Sequence, residues 1–494
     1  MTQNRKRTSH QPSGVASAKQ AQQFAEAHAD SPARTKDGFL DKLPGRGELY
    51  SPKAPINQRL KELVDDNAYQ AAFGSAIERV AHYDIPELKA IHTLDQFYYF
   101  LDRLVEWVPE LRVWEWRGTT YHERTDYLRL TQFYYYFNQP ELAGLQSPID
   151  PVRGQALTPL SRWIRDFAVE LGAWLDTKPS AARLESYKFG PEYNYQDYAG
   201  GEDGIKGYKT FNEWFSRTFK DIDVQRPVAQ PDNERVITFP AESTFVGQWA
   251  VSTRVPKGEP LPQEPSITVK HVQWPITELL KDSKYARDFE GGILAHSFLN
   301  IYDYHRQHAP ASGRILEAKF IPGQAYLEVD LEILDKQQRA EQDSALAYAV
   351  TSRRHLDAKD STGYQFVQCR GLMVLQTAVG KVAVLPMGMG YVSSVVFTTP
   401  ASEGPQKFIR LTKKEKSGLD YDEQVALINE RVEKALVNKT VQKGDMISSF
   451  LFGGSDIVMV FERRSCISIT ADVGVHYPIR SQYAVANIGE LIEY

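Results

Sequence analysis

Cysteine is scarce in this chain. Only Cys369 and Cys466 occur among 494 residues, and neither has a second cysteine at the spacing of a metal site. Two cysteines cannot build a disulfide framework, and they form no zinc-binding pattern. We therefore expect a protein of a reducing compartment that holds no metal.

Long apolar runs are also missing. No stretch reaches the roughly 20 residues that a transmembrane helix needs. The amino terminus, MTQNRKRTSHQPSG, has basic residues with no apolar segment behind them, so we expect no secretory signal. The net charge of −5 and the pI of about 6.2 give no general attraction to nucleic acid or to an anionic membrane. These features predict a cytoplasmic protein with neither a nucleic-acid nor a membrane partner.

The composition changes twice along the chain. Residues 1–55 are polar and rich in Gln, Ala, Ser, Lys and Pro, which is typical of a disordered segment. Residues 56–228 carry apolar side chains near a 3.6-residue period, as in INQRLKELVDDNAYQAAFGSAIERV, which predicts helices. In residues 229–494, short β-branched runs alternate with Gly and Pro, and only DSKYARDF and DYDEQVALINERVEKALVN have a helical pattern. We therefore predict an α+β protein, with a helical amino-terminal region followed by a β-rich domain.

Aromatic residues are abundant in the helical region. They cluster at residues 97–100 and 133–137, within segments of helical period. Such a cluster could line a ligand site, but at these positions it is more often the packed interface between helices. Core packing is the interpretation that the pattern favours.

Two histidines lie close together in FLNIYDYHRQHAPASGRI, residues 298–315. His305 and His308 are three residues apart, with Arg306 between them. The proline and glycine that follow indicate a turn that starts a strand, although a helix would place both imidazoles on one face. Imidazoles transfer protons near neutral pH, and arginine binds carboxylates. Proton transfer, a metal site and a pair of histidines without a site all stay open on these residues alone.

A second unusual stretch interrupts a β-like run near the end of the chain. In FLFGGSDIVMVFERR, residues 450–464, Gly453, Gly454 and Ser455 separate two groups of apolar residues. Glycine inside a strand loses packing and costs conformational entropy. Taken alone, the triplet predicts a bulge or a tight bend.

Two further stretches are weaker signals. Glu242 lies in a Pro-Ala-Glu-Ser turn between two apolar runs, and a carboxylate in a turn is most often solvated. Upstream, YKTFNEWFSRTFKDIDVQRPV, residues 208–228, places Phe211, Trp214 and Phe215 on one helix face, which is typical of a packing helix.

Taken in chain order, from 208–228 through the Glu242 turn and the two histidines to the Gly-Gly-Ser triplet, the four stretches resemble the phosphatidylserine decarboxylase family of self-processing pyruvoyl enzymes. The likeness covers roughly residues 208–464 and includes the segment ending in Arg226-Pro227, the Pro-Ala-acid turn, the Tyr-His-Arg-x-His-x-Pro-x-x-Gly box, GMGYVSSV and KGDMISSFLFGGSDIVMVFE. The double-histidine and Gly-Gly-Ser boxes are its most specific parts, and they lie about 150 residues apart. The helical region is more similar to the soluble amino-acid-decarboxylating branch, which includes tryptophan decarboxylases, than to the membrane-anchored phospholipid enzymes.

The resemblance implies a carboxy-lyase that is made as a zymogen. Autocatalytic cleavage between Gly454 and Ser455 would convert the serine into a covalent pyruvoyl group, which is the cofactor. The family pattern implies that His308 is the base that takes the serine proton and that Glu242 is its acidic partner. His305 would return a proton to the substrate or orient its carboxylate. The substrate amine would form a Schiff base with the pyruvoyl ketone during amino-acid decarboxylation.

Two positions depart from the phospholipid enzymes. Those enzymes carry aspartate followed by glycine where this chain has Glu242-Ser243, and Asp456 adds a carboxylate directly after the serine. The first departure favours a soluble L-amino acid, aromatic and tryptophan-like, and leaves phosphatidylserine as the alternative substrate. The second keeps open an unprocessed, non-enzymatic family member, because an extra carboxylate would disfavour charge on the ester intermediate.

The resemblance also implies partners. The expected partners are a small-molecule amino-acid substrate and the two chains of one precursor, which must stay associated after cleavage. A second copy of the protein in a homodimer is a further expectation from the family.

Overall fold

The fold was analysed in a computed structural model. It describes residues 38–83, 88–116, 119–150, 156–200, 204–252, 264–269, 272–333, 354–358, 362–388 and 395–492, with the backbone alone at 114–116, 119–121, 332–333, 354–355 and 454–455. Most of the polar segment 1–55 and part of GMGYVSSV therefore lie outside the described residues. Helices dominate the first half of the chain and antiparallel strands the second, which confirms the predicted α+β class.

The helices of the first half follow the apolar period of the sequence. They are α1 Pro55–Asp66, α2 Gln70–Ala81, α3 Leu94–Val105, α4 Thr125–Phe137, α5 Pro140–Ala143 and α6 Pro159–Leu175. The run predicted from INQRLKELVDDNAYQAAFGSAIERV is two helices, because Ala68 adopts a left-handed φ of 55° between them. Thr93 and Thr158 cap α3 and α6 by accepting a hydrogen bond from a backbone N–H of the first turn.

One part of the helical region is not helical. Strands β1 Leu111–Trp116 and β2 Thr119–Arg124 form an antiparallel hairpin between α3 and α4. Their sequences, LRVWEW and TTYHER, are rich in β-branched and aromatic residues, which favour a pleated strand. After α6 the chain continues through 3₁₀ turns at Lys178–Ala181, Leu184–Phe189, Pro191–Tyr193, Tyr195–Asp197 and Gly204–Gly207. The helical interpretation of residues 56–228 therefore misses a hairpin.

Short helices lead into the β-rich part and decorate it. These are α7 Phe211–Phe215, α8 Ile222–Gln225, α9 Ile276–Leu279, α10 Lys413–Lys416 and α11 Tyr421–Leu436. The helix predicted from DYDEQVALINERVEKALVN is α11, where Asp420 and Glu423 form a reciprocal capping box. The helix predicted from DSKYARDF is only a 3₁₀ turn, Ala286–Phe289.

An eight-stranded antiparallel sheet forms the centre of the β-rich part. In spatial order its strands are β15 Thr440–Val441, β9 Gly313–Ile321, β12 Cys369–Thr377, β13 Gly380–Gly388, β17 Gly454–Phe461, β7 Ile293–Phe298, β4 Ser243–Ala250 and β19 His476–Tyr477. The predicted strand start near Arg314 is therefore correct to within one residue.

Smaller sheets flank the large one. Three-stranded sheets contain β14 Val395–Phe397, β16 Met446–Phe450 and β8 Arg306–His308, and β18 Ile467–Ile469, β20 Gln482–Ala486 and β3 Val236–Thr238. Strands β5 Ser266–Val269 and β6 Val272–Pro275 form one hairpin, and β10 Val329–Ile333 and β11 Arg354–Ala358 form another.

Strand β17 is buried on both faces. Ile457, Met459 and Phe461 belong to the apolar core that includes the amino-terminal helices. Val458 and Val460 belong to a second core on the opposite face. A central strand packed on both sides needs a continuous apolar run, which explains the sequence IVMVF.

The aromatic clusters pack mainly against one another, as the sequence predicted. The rings of Phe97 and Tyr136 lie 4.9 Å apart, and those of Phe133 and Phe167 stack at 4.8 Å. Within the described residues, no helix combines the length and the apolar character needed to cross a membrane.

Candidate active site

The Gly-Gly-Ser turn, residues 451–455, connects two different sheets. Strand β16 of the small sheet ends at Phe450, and β17 of the large sheet begins at Gly454. Between them Gly453 has a φ of 109°, a conformation that side chains with a Cβ rarely adopt. The chain thus needs glycine at this position to pass from one sheet to the other.

Ser455 lies at a slip in the sheet register. Asp456 pairs with Met387 of β13, but the next pair is Gly454 with Gly388, so the backbone of Ser455 has no partner residue on that strand. This is the geometry of a β-bulge, which interrupts a ladder and is common beside active sites. Both the tight bend and the bulge expected from the triplet are therefore present.

The two boxes lie on neighbouring strands. Strand β8, which ends at His308, pairs antiparallel with β16, so that His308 lies opposite Met446 and Arg306 opposite Ser449. The amide of Phe450 donates to the carbonyl of His305 at 2.7 Å. Moving along β16 toward the Gly-Gly-Ser turn therefore passes His308 first and His305 second. The fold brings together segments that are about 150 residues apart in sequence.

His308 is held in one tautomer. Its Nδ1 lies 2.6 Å from the carbonyl oxygen of Gly444, which can only accept, so Nδ1 carries the hydrogen. The Nε2 atom then carries the electron pair and accepts a hydrogen bond from the hydroxyl of Tyr304 at 3.2 Å. Burial, together with the positive charge of Arg480, lowers the pKa of His308 to about 3. The imidazole is thus neutral at neutral pH, with Nε2 able to accept a proton.

His305 has a different environment. Its ring stacks on Phe215 with centroids 3.8 Å apart, and Phe215 in turn contacts Phe452 at 5.4 Å. The Nε2 atom donates to the carbonyl of Ile301 at 3.2 Å, while Nδ1 is buried without a hydrogen-bond partner among the described atoms. Burial lowers the pKa of His305 to about 3, so this ring is also neutral. Nδ1 of His305 is therefore a buried acceptor without a partner among the described atoms, and the ring of Phe215 lies between His305 and Phe452 of the Gly-Gly-Ser turn.

Glu242 is close to the histidine box but is paired with another residue. The backbone amide of His308 donates to Pro240, two residues before Glu242, at 2.8 Å. Arg226 binds the Glu242 carboxylate through two hydrogen bonds of 2.8 and 3.0 Å. Among the described contacts, no hydrogen bond joins this carboxylate to the imidazole of His308. Its assignment as the acidic partner of His308 therefore stays a prediction.

Sequence reasoning missed several polar residues around the box. Arg480 donates to the carbonyl of Gly444 at 2.7 Å and to Asp223 at 2.7 Å. Buried Asp303 pairs with His476 at 3.0 Å, and this hydrogen bond raises the pKa of His476. Asp303 directly precedes Tyr304 and could have been included in the box. The sequence near Arg480 and His476 does not indicate a contact with the histidine box, because both residues lie more than a hundred positions after it.

The turn also borders a cavity beneath the amino-terminal helices. The lining residues come from α3, the segment after it, α4, α6 and the turn itself: Leu104, Trp107, Arg129, Leu130, Phe133, Tyr134, Phe167, Ala168, Leu171, Phe452 and Gly453. Most of these side chains are apolar. The aromatic cluster at 133–137 therefore serves the core and also contributes two residues to a cavity wall.

Across the described residues, no three His, Cys, Asp or Glu side chains are arranged to hold a metal ion. The two neutral imidazoles can take part in proton transfer, His305 through an Nδ1 that has no partner among the described atoms and His308 through the Nε2 that faces Tyr304.

The sequence is similar to that of a known protein family. The family model described as phosphatidylserine decarboxylase matches residues 211–480, which is more than half of the chain. A phosphatidylserine decarboxylase proenzyme of Vibrio campbellii is 33% identical over 136 residues, covering 27% of this chain and 43% of that protein. The L-tryptophan decarboxylase of Psilocybe cubensis is 26% identical over 167 residues, covering 33% of this chain and 35% of that protein.

The similarity to individual relatives is partial. Phosphatidylserine decarboxylase proenzyme 3 of Schizosaccharomyces pombe is 34% identical over 122 residues, which are 25% of this chain and 11% of that protein. The chain thus spans less than half the length of each of these three relatives. The family match itself runs from the first residue of α7 through the histidine box and the Gly-Gly-Ser turn to Arg480. The chain belongs to the phosphatidylserine decarboxylase family.

Proposed function

We propose that the chain is the precursor of a pyruvoyl-dependent decarboxylase that cleaves itself between Gly454 and Ser455. The observation that carries this proposal is the backbone at the turn. Gly453 has a φ of 109°, and Ser455 sits in a register slip at the start of a central strand. A ladder that is interrupted at a serine and entered through a conformation open to glycine is suited to a rearrangement of the peptide bond. This local backbone also fits a pyruvoyl group formed at position 455.

Processing can be written as a balanced reaction. The Ser455 hydroxyl attacks the Gly454 carbonyl, and the bond from Gly454 to the Ser455 nitrogen breaks to give an ester and a free amine. Loss of the Ser455 α-proton expels the ester as the Gly454 carboxylate, which keeps the serine oxygen. Water then replaces the nitrogen of the resulting dehydroalanine and releases one ammonia. The products are chain 1–454 and chain 455–494.

The proton acceptor proposed for the first step is His308. Support comes from its fixed tautomer, in which Nδ1 donates to Gly444 and the electron pair of Nε2 points to the hydroxyl of Tyr304, which would have to yield to the serine proton. Glu242 is proposed as the acidic partner, for which its place two residues after Pro240, beside the His308 backbone, is the support. Release from Arg226 would be required for a direct contact, since that residue binds both carboxylate oxygens.

His305 is proposed as the residue that faces the substrate. The pyruvoyl group, when formed, supplies a carbonyl that binds the substrate amine and accepts the electrons left when CO2 departs. His305 would hold the substrate carboxylate or return a proton to the α-carbon through Nδ1. Support for this role comes from the position of His305, which stacks on Phe215, while Phe215 contacts Phe452 of the Gly-Gly-Ser turn.

The substrate we propose is an L-amino acid with an aromatic, tryptophan-like side chain. The support is a relative named as an L-tryptophan decarboxylase, together with the mostly apolar wall beside Gly453, whose cavity of about 20 Å³ must widen to admit an indole. Phosphatidylserine is the second candidate, because other relatives carry that name. We further propose that the two chains stay associated within a cytoplasmic homodimer.

Cleavage is tested by denaturing electrophoresis of the purified protein. The wild-type chain should give a large band and a fragment of 40 residues, Ser455–Tyr494. A Ser455→Ala variant has no hydroxyl and should remain a single, inactive band. A wild-type protein that stays full length under conditions where it is folded would favour the unprocessed family member.

The substrate is tested by release of CO2 from tryptophan, tyrosine, phenylalanine and phosphatidylserine dispersions, each with Ser455→Ala as the blank. Turnover of an aromatic amino acid with little turnover of the lipid supports the proposal. Turnover of the lipid alone would assign the second candidate.

A further inference from the structure

A second histidine–carboxylate pair lies next to the bond that we propose is cleaved. His296 of β7 and Asp456 of β17 are joined by a 2.7 Å contact between Nε2 and Oδ1. Their side chains are 0% and 1% exposed. Neither residue belongs to the histidine box, and Asp456 is bonded directly to Ser455.

The sheet register explains why these two side chains meet. Asp456 lies opposite Phe298, and His296 lies opposite Val458, so the two residues are diagonal neighbours on the same face of adjacent antiparallel strands. On the other side, Asp456 is the last residue of β17 in regular register with β13 before the slip at Ser455. The pair therefore lies at the residue where the regular ladder ends.

Further hydrogen bonds hold the pair in place. Nδ1 of His296 lies 2.8 Å from the hydroxyl of Thr362, so both ring nitrogens have partners. The side-chain amide of Gln365 approaches the same Asp456 oxygen at 3.5 Å. A carboxylate buried in an apolar core is costly without such partners, and His296 supplies the shortest contact.

We propose that His296 is a positioning residue for self-processing and acts through Asp456. It holds the backbone after Ser455 so that the Gly454–Ser455 bond is presented in the bulge. After cleavage, residue 455 becomes a chain end, and chain ends fray unless they are tied down. The same contact then keeps the new end in the sheet. This inference rests on the proposed function.

The contact with His296 also bears on whether Asp456 would hinder processing. A carboxylate directly after the serine raised the prospect of an unprocessed protein, because its charge would oppose charge on the reacting ester. The Asp456 carboxylate is instead turned to His296 on the face of the second core, which includes Val458 and Met387. Its charge is met there by an imidazole and an amide.

The test uses freshly made full-length precursor. Electrophoresis measures the rate of its cleavage, and thermal unfolding measures the stability of the same samples. Asp456→Ala and His296→Ala should slow cleavage at least tenfold. Asp456→Asn should retain at least a third of the wild-type rate, because its amide oxygen still accepts from His296. The matched control is His122→Ala, which removes a nearly buried histidine from a 3.0 Å contact with Glu192 in the helical region. That control should lower the unfolding temperature but cleave at the wild-type rate.

A paired substitution covers the case in which the single variants do not fold. Replacing a buried ion pair by two apolar residues is often tolerated, so His296→Leu with Asp456→Leu should fold. It should still cleave at least tenfold more slowly than wild type. Cleavage of this double variant, or of Asp456→Ala, at the wild-type rate would overturn the inference while leaving the proposed function intact. Failure of the wild-type chain to cleave would instead overturn the proposed function.

Discussion

The histidine box and the Gly-Gly-Ser turn lie on neighbouring strands but are built in different ways. In the box the side chains are fixed, His308 by the carbonyl of Gly444 and His305 by the ring of Phe215. In the turn the backbone is unusual, with the positive φ of Gly453 and the register slip at Ser455. Side-chain contacts thus hold the imidazoles that would transfer protons, whereas backbone conformation holds the peptide bond that would break. Substitutions in the two regions should therefore differ in how they change the rate of cleavage and the stability of the fold.

The largest effect is expected in the box. His308→Gln keeps a polar side chain of similar size but has no nitrogen that can take a proton. Removing a general base typically costs a factor of about 10² to 10⁴ in rate, so cleavage should slow by at least about a hundredfold. The fraction of precursor remaining over time measures this. If His308→Gln and the control His122→Gln both cleaved like wild type, His308 would not be the base.

A smaller effect, with a different signature, is expected in the turn. Gly453→Ala forces a Cβ into a φ of 109°, which costs about 1–3 kcal/mol. This variant should lose stability and also cleave roughly tenfold more slowly. Gly474→Ala is the matched control, because Gly474 has a φ of 79° and open space around it. Urea unfolding and cleavage assays should show a loss of stability in both variants but slower cleavage only in Gly453→Ala.

Acid should destabilise the fold through the box. Burial lowers the pKa of His305 from its usual 6.5 to about 3, so below pH 6.5 the unfolded chain binds a proton that the folded chain does not. The stability due to the neutral ring is complete above pH 6.5 and falls by about 1.4 kcal/mol per pH unit toward pH 3. In a Ser455→Ala background, His305→Gln should reduce the slope of the unfolding free energy against pH by about that amount. An unchanged slope would contradict a buried, neutral His305.

The smallest effect is expected at the cavity. Ala168→Leu places extra volume among the lining residues and should lower kcat/KM for tryptophan roughly fivefold, in line with the about 1–3 kcal/mol typical of such changes in apolar pockets. A small amino acid should be affected less. Ala143→Leu, on an exposed residue of α5, is the control. Equal losses for large and small substrates would argue against the cavity as the side-chain site.

Much of the fold could be predicted from local patterns. The 3.6-residue period indicated α3 and α6, and the β-branched runs indicated β9, β12 and β13. Local patterns failed where tertiary context decides: they hid the β1–β2 hairpin inside a helical region. They also could not show that a left-handed Ala68 divides one periodic run into two helices.

The candidate site was predictable in its motifs and not in its contacts. The two boxes were visible in the sequence, and the triplet predicted a bend or bulge. The carbonyl of Gly444, the guanidinium of Arg480 and the imidazole of His296 were not predictable. The fold brings Gly444 and Arg480 to His308, and His296 to Asp456, across 136, 172 and 160 residues, and no spacing along the chain encodes such contacts.

The most direct test of self-processing is an intact-mass measurement on the denatured wild-type protein. We expect a 40-residue chain that begins at position 455 and is lighter by one ammonia than the same peptide beginning with serine. Reaction with an amine in the presence of a reductant should add mass to this chain. A 40-residue peptide with an amino-terminal serine, or a single chain of 494 residues, would contradict the formation of a pyruvoyl group.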